Sequence, residues 1–233
     1  MQAHKGHESA VRVLLENNAD TAARDNDNAD IAARNNGGDS PLHSAARNGH
    51  ERVVRLLLEN NADIAARDNA GNSLLHLAAM NGHEGAVRLL LQNNADLEAR
   101  DNDGFSPLHM AAMKGLEGVV RLLLENNADI AARGPARSSA LHLAVLHGHA
   151  GAVRLLLEYN ADIAARSEDG ISPLHLAVYY GQEGAIMLLL RSNADVAELK
   201  EVGVRRGARH AEHDAPNSPH CNHAAAAQQR RRR

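Results

Sequence analysis

The chain has 233 residues, 44% of them hydrophobic, yet it holds only four aromatics (Phe105, Tyr159, Tyr179 and Tyr180) and no Trp. Aromatic side chains bury about 150–250 Å² each and dominate ordinary cores, so this Ala/Leu-rich interior argues against a conventional globule and for thin helical layers set close together. Formal charge is −4, but residues 199–233 carry eight Lys/Arg against three Asp/Glu, which leaves the first 198 at −9; so acidic a body disfavours binding to a phosphate backbone.

A fixed interval organises the chain: Ser40, Ser73, Ser106, Ser139 and Ser172 each open a near-identical tetrapeptide, always 33 residues apart. Residues 1–27 read as a partial unit, because residues 6–20 align with 49–63 and Met1 falls inside the first helix of the pattern. Residues 28–37 nearly copy 18–27 and read as a duplicated hairpin, a long polar loop with weak coupling between units. Five units follow, at 38–70, 71–103, 104–136, 137–169 and 170–198.

Local chemistry predicts two helices and a hairpin per unit. In the third, Ser106 supplies a hydroxyl N-cap ahead of Pro107, which sits at the first helical position where a missing N–H costs nothing. Leu108, Met110, Ala111 and Ala112 fill the buried side and Gly115 ends the helix. A second helix from about Glu117 carries Val120, Leu122, Leu123 and Leu124 at helical spacing. Asn126 and Asn127 close it, since Asn tolerates the left-handed conformation. The polar stretch that follows is too short for a helix and reads as a hairpin loop. Further on, Gly134-Pro135-Ala136-Arg137 replaces the usual tip, with Arg137 where other copies keep Gly, so that hairpin must turn differently. Neither helix can bury its apolar stripe alone, so the units must stack into an all-α solenoid of helix-turn-helix units joined by hairpin loops. Residues 199–233 lose the period and any apolar stripe, and are expected to be a disordered His/Arg-containing tail.

The motif stands as Ser40-Pro41-Leu42-His43, Ser73-Leu74-Leu75-His76, Ser106-Pro107-Leu108-His109, Ser139-Ala140-Leu141-His142 and Ser172-Pro173-Leu174-His175. With its period it resembles the ankyrin repeat, known by a 33-residue unit and Thr-Pro-Leu-His. The similarity spans about residues 4–198, with Ser for Thr throughout, Leu74 and Ala140 for Pro, and Asn61, Asn94, Asn127, Asn160 and Asn193 where the family usually has Gly. It implies a structural role for the motif Ser and His residues. It also implies a protein-binding module whose concave groove and hairpin tips meet the partner.

Catalytic readings fail on chemistry. Gly104-Phe105-Ser106 imitates a nucleophile elbow, but the next residue, Pro107, has no N–H for an oxyanion hole. His83-Glu84 opens like a zincin motif, yet Val87 stands where the second His belongs. No cofactor, metal or small-molecule substrate is expected: His210, His213, His220 and His223 beside Cys221 have no fold to position them. The lone Cys221 cannot pair within the chain and reads as intracellular and reduced, and the longest apolar run, about five residues, is far short of the roughly 20 that span a membrane. The expected location is cytoplasmic, with nuclear entry through Arg230 to Arg233 as the alternative. Arg55, Arg88, Arg121 and Arg154 recur on the second helix, mostly with Glu four residues on, and predict an outer face laced with weak ion pairs.

Positions shared by all units hold the stack, so those that differ are free for recognition. The pair before the inter-helix Gly reads Arg47/Asn48, Met80/Asn81, Met113/Lys114, Leu146/His147 and Tyr179/Tyr180; the tip residue before Ser reads Asp39, Asn72, Phe105, Ser138 and Ile171. The resemblance places these positions at the groove. Met80, Asn81, Phe105, Met113, Lys114, Leu146, His147, Ile171, Tyr179 and Tyr180 are therefore the candidate partner-binding residues, with an apolar stripe through Met80, Met113, Leu146 and Tyr179. Ordinary packing between units is the competing reading. The function read from this is a non-enzymatic adaptor or scaffold, acting as a monomer. The alternative is a regulatory array of a larger ubiquitin-ligase, channel or signalling protein, favoured by a chain that opens mid-repeat.

Overall fold

The computed structural model describes residues 32–192. The partial unit 1–27, residues 28–31 of the duplicated hairpin, residues 193–198 of the last unit and the tail 199–233 lie outside the described residues. Ten α-helices stand in five pairs among the described residues: α1 Pro41–Asn48 and α2 Glu51–Glu59, α3 Leu74–Met80 and α4 Glu84–Gln92, α5 Pro107–Lys114 and α6 Glu117–Glu125, α7 Ala140–Leu146 and α8 Ala150–Glu158, α9 Pro173–Tyr179 and α10 Glu183–Arg191. The motif Ser is the N-cap of every first helix, and Asn61, Asn94, Asn127 and Asn160 follow the second helices at φ of 60° to 65°. Asn fits there because its short polar side chain lowers the steric penalty of left-handed backbone.

First helices pack on first helices and second helices on second helices along the array. One continuous core of Leu, Val and Ala runs between the two rows. Ala78, Ala79, Ala111 and Ala112 are fully buried, so small side chains set the spacing of the first-helix row. In the second row Gly85, Gly118 and Gly151 leave room for the Oε1 of Glu51, Glu84 and Glu117 of the preceding unit, each 1.7 Å from where a Cβ would fall. At the far end no helix follows α10 among the described residues. Val178 is exposed there, although its counterpart Val145 is fully buried under α9.

Hairpin tips form a third row. Asn35 Oδ1, Asp68 Oδ1 and Asp101 Oδ1 each accept two backbone N–H groups across their own loop, from Gly37 and Asp39, Ala70 and Asn72, and Asp103 and Phe105. Backbone bonds then join tip to tip: Asn69 N–H donates to Gly37 O (3.0 Å), Asn102 N–H to Ala70 O (3.0 Å) and Glu168 N–H to Ala136 O (2.8 Å). The described end of the duplicated hairpin thus ties to the end of the first unit as other tips do to theirs. At the step between the last two of these bonds the register calls for residue 135 of the third unit to donate to Asp103 of the second, and Pro135 has no N–H. The same tip lacks the Asx plug, since Gly134 has no side chain. It closes by a 3₁₀ turn, Pro135–Arg137, that holds Ala136 and Arg137 at φ of 49° and 56°.

Arg55, Arg88, Arg121 and Arg154 are exposed, and among the described residues none comes within 4.0 Å of an acidic side chain. The predicted lacing of the outer face is corrected: on an open helix surface the attraction does not repay the lost side-chain entropy.

Candidate functional site

Each motif His closes a capping box with its Ser. The Ser N–H donates to Nδ1 of His43, His76, His109, His142 and His175 at 3.1 to 3.3 Å, and the His N–H donates to Ser Oγ. With Nδ1 accepting, the ring proton sits on Nε2. It is donated to the tip carbonyl of the next unit: His76 to Phe105 O (2.9 Å), His109 to Ser138 O (3.3 Å) and His142 to Ile171 O (3.0 Å). Burial pushes these three rings down to about 4, so they stay neutral at physiological pH. His43 is fully buried, yet among the described residues its Nε2 has no hydrogen-bond partner. These Ser and His residues are structural ties.

A second set of ties was not read from the sequence. His83 Nε2 donates to Arg47 O (3.0 Å) and His149 Nε2 to Met113 O (3.1 Å), each reaching back one unit. Their rings lie against Gly49 and Gly115, where a Cβ would come within 2.4 and 2.5 Å. The signal available was a His one unit after each of these inter-helix glycines.

The variable positions meet where tips approach the ends of the first helices. In the first unit the pair is ionic: Arg47 grips Asp39 with two bonds (3.0 and 2.7 Å) and reaches Asp68 at 3.3 Å. In the third it is apolar. Met113 is only 8% exposed and clusters with Met110 and Leu143, with Met80 and Phe105 packed against them. Met113 thus lies beneath the surface, in a cluster completed by Met110 and Leu143, neither of them among the candidate residues. Leu146, His147 and Ile171 are half-buried, as is Asn81, whose Nδ2 donates to Leu77 O. Burial first, then His149 and Lys114, push the His147 ring below its ordinary value. Lys114 is exposed. Tyr179 is 59% exposed and meets Tyr180 edge to face at 4.9 Å. Of the expected stripe through Met80, Met113, Leu146 and Tyr179, the structure gathers Met80 and Met113 with Phe105 in one cluster and sets Tyr179 beside Tyr180 in another.

No helix of the described residues is long and apolar enough to cross a membrane. No curated protein matches the chain. The family model described as "Ankyrin repeats (3 copies)" matches at residues 1–68, 64–134 and 132–199. Those matches embrace all five helix pairs, their capping boxes and the hairpin row, and the chain belongs to the ankyrin repeat family.

Proposed function

We propose that the chain is a non-enzymatic adaptor or scaffold that binds a partner protein on the face where hairpin tips meet the first helices. Ankyrin repeats are generally protein–protein interaction modules, which supports the coarse reading. The observation that carries the finer one is Tyr179. The largest side chain on α9 lies mostly in solvent, paired with Tyr180, at a position where the units disagree. Tyr is enriched among residues that dominate binding energy, and an edge-to-face pair holds its rings at little further entropic cost on docking.

The test is affinity capture with the intact chain and its Tyr179→Ala variant. Partner recovery should fall on the order of tenfold or more, as for a hot spot of about 2 kcal/mol, with far-UV helicity unchanged. Equal recovery by both proteins would refute this assignment of the face.

A further inference from the structure

The two helix rows differ in their acidic side chains. The five second helices carry seven glutamates (Glu51, Glu59, Glu84, Glu117, Glu125, Glu158 and Glu183), nearly balanced by six arginines (Arg52, Arg55, Arg88, Arg121, Arg154 and Arg191). The five first helices carry no Asp or Glu at all, in a chain whose net charge is −4. Their formal cations are Arg47 and Lys114. Arg47 is neutralised in place by Asp39 and Asp68. Lys114 is exposed, and among the described residues no carboxylate lies within ion-pairing distance of it. Its charge reaches the neighbouring unit, where, after burial and His149, it helps push the His147 ring below its ordinary value.

Lys114 also departs from its own column. Asn81 and Asn48, its counterparts one and two units earlier, turn back and donate to Leu77 O and Ser44 O of their own helices. α5 closes on the left-handed Gly115, its N–H meeting Ala111 O and Ala112 O, as α1 closes on Gly49. Lys114 directly follows Met113, the buried residue on whose cluster Met80 and Phe105 pack.

Taking the proposed binding face as given, we infer that its occupant is an acidic-apolar segment of a partner protein. An Asp or Glu of that segment meets Lys114, and its apolar side chains pack on the two apolar groups of the face, Met80 with Phe105 and Tyr179 with Tyr180. Complementary charge at such a spot sets orientation and selects against wrong partners more than it adds bulk affinity. On an acidic body it rejects basic segments at the floor of the face while leaving the rest of the surface repulsive to acidic ones.

The experiment is selection of short random peptides, displayed on phage, against the intact chain at low salt. Enriched sequences should place Asp or Glu next to Leu, Met or an aromatic residue. Their binding should weaken about tenfold on Lys114→Glu, the size of a 1.4 kcal/mol change, and should fall with rising salt as an exposed pair does. Replacing the peptide acid by Lys should restore binding to Lys114→Glu and abolish it on the unmodified chain. A role for Lys114 confined to the helix dipole predicts instead a lower unfolding midpoint for Lys114→Glu with peptide binding unchanged, and that result would overturn the inference. Peptides that are lost on Tyr179→Ala but show no acidic preference overturn the charge assignment and leave the face intact. Peptides indifferent to both variants dock elsewhere and overturn both.

Discussion

At the scale of single residues, the motif histidine does two jobs with one ring. Nδ1 accepts from the N-cap Ser and Nε2 donates to a neighbouring tip, as in His76, His109 and His142. Truncating His109 to Ala empties a fully buried site and strands Ser106 N–H and Ser138 O. Cavity and desolvation together set the expected loss at about 2–5 kcal/mol. His43 makes the same capping box, but among the described residues its Nε2 meets no acceptor. His43→Ala should therefore cost about 1 kcal/mol less than His109→Ala, the net worth of one hydrogen bond. Urea unfolding of the two variants at an unchanged m-value measures the difference; equal losses would mean that the Nε2 bond between units contributes nothing to stability.

At the scale of elements, the hairpin of residues 134–138 is the weak tip. It lacks the Asx plug, forfeits a tip-to-tip bond at Pro135 and holds Ala136 and Arg137 in left-handed backbone, at roughly 1 kcal/mol or more for each such residue. Grafting Asp-Asn-Asp-Gly, the residues at 101–104, onto 134–137 should restore all three features. The expected gain is about 1–3 kcal/mol, seen as a rise of several degrees in the thermal midpoint; a fall would show that Pro135 stiffens the loop more than it weakens the row. Most of the fold was legible because its causes are local: Ser before Pro, Gly or Asn after a helix, Leu at helical spacing. That this hairpin turns differently was legible from Arg137 alone. Its broken link was not, because the acceptor, Asp103, lies 32 residues away and only the stack reveals the pairing. The candidate face was legible as a set of columns but not as a surface. Met113 and Tyr179 occupy the same column, and one is buried while the other projects, because Leu143 of the next unit covers Met113 and no described unit follows Tyr179.

At the scale of the whole molecule, repetition multiplies one titration. His76, His109 and His142 fold with their rings near 4 against an ordinary 6.5, through burial. Between those values the unfolded chain binds protons that the folded chain refuses, so stability is complete above about pH 6.5 and is lost as pH falls toward 4. Each ring removes about 2 kcal/mol at pH 5 relative to pH 8, and the three together about 6 kcal/mol. That is comparable to the whole stability of many domains, roughly 5–15 kcal/mol. Asp101 opposes the trend, since burial raises its carboxyl above 3.8 and folding takes up a proton there. One carboxyl does not offset three imidazoles spread across consecutive units. The array should therefore unfold on mild acidification, with a steep loss of helicity between pH 6 and 4 rather than in the carboxylate range below it. Because the rings sit in stacked units, each failing interface exposes the next. Circular dichroism across that window decides it: a midpoint below pH 4 would show that the buried rings do not govern stability.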